Sequence, residues 1–136
     1  MTKSTAPATR VLVVDDDAPV ARAIGRVLQG CDVVIELQAR SALQRVIDGA
    51  RFDVIICDVV MPDMDGQAFY RALEVLALDQ ARAVVFMTGG AFSPTAAKFL
   101  ADVDRPVLFK PCDARTLRRI VHDVHATDGY GEVEQL

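Results

Sequence analysis

Four apolar runs end in residues that could do chemistry together. "VLVVDDD" closes on Asp15, Asp16 and Asp17; "DVIIC" is followed by Asp58; "VVFMT" ends in Thr88; and "VLF" is followed by Lys110. Carboxylates brought within a few ångströms of one another repel and raise one another's pKa unless a cation lies among them. Magnesium suits such a set, because it takes hard oxygen ligands, needs only one or two carboxylates, and keeps waters that a phosphoryl oxygen can replace. The Thr88 hydroxyl and the Lys110 ammonium would then neutralise and orient phosphoryl oxygens, since phosphoryl transfer rests mainly on positioning and charge stabilisation. Asp58 is the expected nucleophile.

That chemistry requires elements that bring the four run-ends to one place. Apolar runs alternate five times with segments of helical period, which predicts a parallel sheet covered on both faces. The expected strands are Val11 to Asp15, Asp32 to Leu37, Val54 to Asp58, Ala83 to Thr88 and Pro106 to Lys110. Five helices should separate and follow them. Asp17 caps the first, which buries Val20, Ile24, Val27 and Leu28 and ends near Gly30. Ser41 is expected to cap the second, with Leu43, Val46 and Ile47 inward and Gly49 at its left-handed end. The third begins near Asp65 or Gly66 and buries Phe69, Ala72, Leu73 and Leu76. Ser93 caps the fourth, with Pro94 at its first position. Asp113 caps the last, which buries Leu117, Ile120, Val121 and Val124. Right-handed crossovers then give a flavodoxin-like (βα)5 fold, strand order 2-1-3-4-5, with a Rossmann-type order as the second choice. In such sheets ligands bind beyond the carboxyl ends of the strands, where Asp15, Asp16, Asp58, Thr88 and Lys110 all fall.

Composition narrows the function classes. The 136 residues suit one compact domain, expected at 10–126 between tails at 1–9 and 127–136. No apolar run approaches the ~20 residues of a membrane span. "MTKSTAPATR" lacks a secretory pattern, so a cytoplasmic location is expected. Cys31, Cys57 and Cys112 have neither pairing nor zinc spacing and read as buried free thiols. A net charge of −4 without a long Lys/Arg run argues against nucleic acid as a partner.

With "VLVVDDD", "DVIICDVVMPDMDG", "VVFMTGG" and "VLFKP" in that order from Arg10 to Ala126, the chain resembles the receiver domain of two-component response regulators. The "TGGAF" stretch further resembles receivers attached to hybrid histidine kinases. The resemblance implies that Asp58 accepts a phosphoryl group from a histidine kinase or a histidine phosphotransfer protein. It also implies that Asp16 binds Mg2+ directly, Asp15 largely through water, and the Val60 carbonyl as a third protein ligand. Thr88 resembles the switch hydroxyl, Lys110 the phosphate-binding lysine, and Lys110–Pro111 the family's cis peptide. Output would be a conformational change read by an unidentified downstream protein, with no output domain in this chain and no catalysis beyond its own aspartyl phosphorylation and dephosphorylation.

Several residues have plainer readings. Asp17 starts a helix; Pro62, Asp63, Asp65 and Gly66 make a turn; Cys57 points away from Asp58 into the core; and His122 and His125 favour a helix C-terminus rather than a metal. Three positions depart from the family pattern. Val107 stands where many receivers carry an aromatic switch residue, and Val60 and Gly90 cannot orient an attacking water. Without the aromatic ring, the switch and output surface are expected to rest on Gly89, Gly90, Ala91 and Phe92, with Val107 moving little. Two alternatives remain open: a haloacid-dehalogenase-type phosphatase with Asp15 as nucleophile, and a receiver-shaped scaffold that never turns over phosphate.

Overall fold

The computed structural model describes residues 7–90 and 93–128. Five strands, β1 (Arg10–Val14), β2 (Asp32–Glu36), β3 (Val54–Asp58), β4 (Val84–Thr88) and β5 (Val107–Phe109), form one parallel sheet in the order β2-β1-β3-β4-β5. This is the expected flavodoxin-like topology. The helices are α1 (Ala18–Val27), α2 (Ala39–Ile47), α3 (Gly66–Leu76), α4 (Leu78–Ala81), α5 (Pro94–Asp102) and α6 (Ala114–Asp128).

Side-chain alternation along the central strands divides the core in two. Leu12, Val14, Ile55, Cys57, Val84 and Phe86 pack with α2, α3 and α5 on one face. On the other, Val11, Val13, Val54, Ile56, Val85 and Met87 pack with α1 and α6 through Ile24, Leu28, Leu117 and Val121. Tyr70, Phe86 and Phe99 meet edge-on with centroids 5.4 to 5.9 Å apart, which ties α3, β4 and α5 together. The edge strand β2 is only half-buried.

Helix starts follow their side-chain caps except at α2 and the one-turn α4. Asp17, Asp65, Ser93 and Asp113 accept the N–H of Val20, Ala68, Ala96 and Thr116 respectively. Ser41, expected as a cap, instead lies inside α2, which begins at Ala39 with no side-chain cap from Gln38. The reason is burial: Ala39, Ala42 and Val46 form the inward stripe, so the helix starts two residues before the serine. That stripe also turns Ile47 outward, 53% exposed. Leu76 is likewise 57% exposed, because Phe69, Tyr70 and Leu73 take the core positions of α3. The one-turn α4 is a sixth helix beyond the five expected. It buries Gln80, whose side-chain amide pairs with both the N–H and the C=O of Phe52, at 2.9 and 3.0 Å. Gly49 takes the left-handed conformation, φ +108°, as its place after α2 predicts. Of the cysteines only Cys57 is buried; Cys31 and Cys112 are half-buried at the margin of the α1–α6 core.

Candidate functional site

Strand register explains why the carboxylates meet. Val11 pairs with Val54 and Val13 with Ile56, so continuing the ladder sets Asp15 beside Asp58 on neighbouring strands, roughly 4.8 Å apart in the pairing direction. Carboxylate oxygens of Asp15, Asp16 and Asp58 all lie within 4.8 Å of one another. Asp15 and Asp58 are buried, whereas Asp16 is exposed at the mouth. From the far side β5 delivers Lys110, whose backbone N–H donates to the Thr88 carbonyl at 2.7 Å. Its Nζ lies 2.8 Å from Asp15 Oδ2 and 3.5 Å from Asp58 Oδ2. The Lys110–Pro111 peptide is cis.

The electrostatics follow from this packing. Burial pushes the Asp58 carboxyl upward from its ordinary value and the Asp15 charge adds to it, while Lys110 and the Val59 N–H pull it back. For Lys110 burial acts downward, but the hydrogen bond to Asp15 and the charges of Asp58 and Asp15 outweigh it, so the ammonium is held above its ordinary value. Burial, then the charges of Asp58 and Asp15, push the Cys57 thiol well up. It stays protonated in the core, its Sγ 3.2 Å from the Asp58 carbonyl.

Asp15 has both oxygens engaged, Oδ2 by Lys110 and Oδ1 by the N–H of Asp17 at 2.9 Å. Asp17 therefore does two jobs: its side chain caps α1 and its backbone orients Asp15. Thr88 is buried at the end of β4, and its hydroxyl oxygen accepts the N–H of Gly90 at 3.2 Å. Gly90 itself has φ +91°. Val60 is 52% exposed on the loop after Asp58, and Val107 is half-buried against the α2–α3–α5 core. Ala91 and Phe92, expected in the output surface, lie outside the described residues.

Two features of the loop after β3 go beyond the turn-making expected of it. Gly66 is buried, and a Cβ there would lie 2.4 Å from the Asp58 carbonyl oxygen and 2.9 Å from the Val59 Cα. Its N–H donates to the Val59 carbonyl at 2.9 Å. The loop also places Asp63 at φ +68°, where it pairs with Arg40 of α2. A glycine directly after a capping aspartate was the available signal for the first; Arg40 carried none.

Three hard oxygen donors around one point fit a hard divalent cation better than a thiolate- or imidazole-loving metal. None of the described helices is long and apolar enough to cross a membrane.

Comparison with known proteins agrees with this fold. The family model of the response regulator receiver domain matches residues 11–122. The two-component response regulator ORR21 of Oryza sativa is 36% identical over 114 residues, covering 82% of this chain and 16% of that protein. The transcriptional regulatory protein ZraR of Escherichia coli K12 is 33% identical over 124 residues, 87% of this chain and 27% of that protein. The chain thus spans a minor part of these relatives. Among solved structures, a CheY-like receiver domain from Methanospirillum hungatei superposes with a TM-score of 0.80 at 23% identity, covering 91% of this chain and 98% of that one. The chemotaxis protein CheY4 of Vibrio cholerae gives 0.72 at 31% identity, covering 86% and 98%. With the family pattern running through nearly all of its described length, from β1 into α6, the chain belongs to the response regulator receiver domains, a family of signalling modules rather than classical enzymes.

Proposed function

We propose that this chain is a phosphoacceptor: Asp58 takes a phosphoryl group from a phosphohistidine on a histidine kinase or histidine phosphotransfer protein. An Asp58 carboxylate oxygen attacks phosphorus, the histidine N–P bond breaks, and its electron pair returns to the donor imidazole. The observation that carries this reading is the Asp15–Asp16–Asp58 cluster with Lys110 Nζ 3.5 Å from Asp58. Asp16, Asp58 and the Val60 carbonyl would hold Mg2+, with Asp15 acting largely through water because both its oxygens already have partners. When bound, the ion neutralises charge on the phosphoryl oxygens. Lys110 orients the phosphoryl group from the other side. It is held to Asp15 in the present arrangement, so it needs only a small swing to follow new negative charge at Asp58.

The signal leaves through Thr88. A dianion at Asp58 attracts its hydroxyl, and moving that hydroxyl withdraws the acceptor from the Gly90 N–H. Gly89 and Gly90 can absorb the resulting backbone change, whereas Val107, with a β-branched side chain, has little rotamer freedom to contribute. The altered loop and α5 would then be read by a downstream protein. The reading also implies work in the cytoplasm, where phosphohistidine donors present their phosphoryl groups.

The test is mass spectrometry after acetyl phosphate and Mg2+. One phosphoryl adduct mapping to Asp58 and absent in Asp58→Asn is the expected result. An adduct at Asp15 would replace this reading with the phosphatase, and no adduct with any donor would leave a scaffold.

A further inference from the structure

Between α3 and α5 runs a groove that shares no lining residue with the acidic site. Tyr70 forms its floor, the ring standing edge-on to Phe86 and Phe99 with centroids 5.6 and 5.9 Å away. Only 8% of this residue is exposed. A tyrosine so buried ordinarily finds a partner for its hydroxyl, yet among the described residues this hydroxyl holds no hydrogen bond. Every fully buried side-chain polar atom of the described residues does have a partner, so the Tyr70 Oη must emerge into the groove.

The charges along the groove are satisfied with one exception. Arg71 of α3 holds Glu74 at 3.0 Å and lies over the Phe99 ring of α5, 5.2 Å from its centroid. Lys98 holds Asp102 at 3.2 Å. Asp104, exposed just beyond α5, forms no salt bridge among the described residues. Two positive charges against three negative leave the lining at −1. Arg105 lies outside the lining and gives its Nε to the Val84 carbonyl at 2.7 Å. Burial holds the Tyr70 phenol above its ordinary value, with the charges of Glu74 and Asp104 adding to this and those of Arg105 and Arg71 opposing it. The hydroxyl therefore keeps its proton and offers its oxygen as an acceptor. Carboxylates without a cation stand elsewhere on this acidic surface, Asp123 of α6 among them; what sets Asp104 apart is the unpartnered phenol in the same groove.

That pairing selects a ligand. An anion would have to take Arg71 from Glu74 or Lys98 from Asp102. A divalent cation bound without phosphate draws on several carboxylates, and one is free here. A guanidinium fits, because its planar fork can give two N–H groups to a carboxylate and a third to the phenol oxygen, with aromatic rings beneath it. The groove measures about 420 Å³ and is open along one side, at the small end of the about 300–1,000 Å³ of pockets that enclose a free ligand. A side chain presented by a larger molecule is instead covered by the rest of that molecule.

We propose that the groove between α3 and α5 is a docking site for an arginine side chain of a protein partner, held by the Asp104 carboxylate and the Tyr70 hydroxyl oxygen. The site goes beyond the phosphoacceptor reading and does not rest on it.

The probe is a blocked arginine, N-acetyl-arginine methylamide, titrated into the full chain and followed by NMR; it presents the side chain as a peptide does, without free termini. Saturable shifts should appear at Tyr70, Phe99 and Asp104, and the neutral isostere N-acetyl-citrulline methylamide should produce none. Tyr70→Phe should weaken binding at least about threefold and leave the calorimetric Tm of the free protein unchanged, because the lost hydroxyl has no partner inside the fold. Asp104→Asn should weaken binding at least as much. Asp123→Asn, which removes an exposed charge from the opposite face of the sheet, should change it less than about twofold. The proposal is overturned if the shifts do not saturate, if the citrulline compound binds as well, or if Tyr70→Phe binds like the parent or lowers the Tm. A loss in Asp123→Asn as large as that in Asp104→Asn overturns it too. So does tighter occupation of Tyr70 and Asp104 by free arginine or by spermidine, since the ligand would then be a free cation rather than a side chain of a protein.

Discussion

Replacing Gly66 by alanine should damage stability and metal binding together, and the structure supplies the magnitude. The new Cβ would lie 2.4 Å from the Asp58 carbonyl oxygen, against the 3.4 Å at which ordinary contact begins, and 2.9 Å from the Val59 Cα. Both obstacles are backbone, so no rotamer change relieves them, and α3 or the end of β3 must retreat by about 1 Å. Overpacking of this kind costs about 1–3 kcal/mol. Alanine gains at most about 1 kcal/mol of helix propensity over glycine, and less at the first helical position. The clash therefore wins, leaving a net loss of about 1–2 kcal/mol. With a urea slope of about 1–3 kcal/mol/M, the midpoint should fall by about 0.3–2 M with the slope unchanged. Since the displaced carbonyl is that of Asp58, calorimetry should also show weaker Mg2+ binding. Gly89→Ala is the control: among the described residues no atom lies within 4 Å of its added Cβ, and its φ is not positive, so it should be neutral or slightly stabilising. A Gly66→Ala midpoint equal to that of the parent or of Gly89→Ala would refute the close-approach argument.

Other outcomes follow from the same packing. Gln80→Ala strips partners from the buried N–H and C=O of Phe52 and should lower stability by about 1–3 kcal/mol per unpaired group, seen as a lower calorimetric Tm. Folding raises the Asp58 pKa through burial and the Asp15 charge, so its stability contribution in the metal-free protein is present below the ordinary 3.8 and is lost as pH rises through the folded value. Asp58→Asn should thus stabilise the metal-free protein at neutral pH and have little effect below pH 3.8. Urea titrations at both pH values check this, and an equal gain at each would contradict it. Beryllofluoride, a phosphoryl mimic, should shift the amides of Thr88, Gly89, Gly90 and α5 strongly and that of Val107 modestly. The reverse pattern would remove the glycine loop from the switch.

The fold was legible because its strands are buried on both faces and so write themselves as unbroken apolar runs. The ends of those runs named Asp15, Asp58, Thr88 and Lys110 before any geometry was available. What the runs could not say was where helices begin when two local preferences compete. At α2 the capping preference of Ser41 lost to the burial of Ala39, worth more because it completes a stripe with Ala42 and Val46. Similarly, α4 has too few residues to show a period, and its purpose is visible only when Gln80 is seen closing the Phe52 backbone.

The limits at the site have a different origin. Residue type reports what a side chain can do, so carboxylates, a hydroxyl and an ammonium declared themselves. Backbone contributions are silent: any residue but proline at position 17 offers the N–H that orients Asp15, and only the turn geometry makes that donor matter. Gly66 is the extreme case, since its role is to have no side chain where α3 crosses the Asp58 carbonyl. Sequence shows the glycine and its capping neighbour, which are sufficient for a turn. The close approach is set by Phe69 and Leu73, which seat α3 against the sheet and bring its first residue down onto β3. A carboxylate held this way depends on core packing as much as on its charged neighbours, and substitutions at Phe69 or Leu73 should reach Asp58 through the backbone without touching its carboxylate.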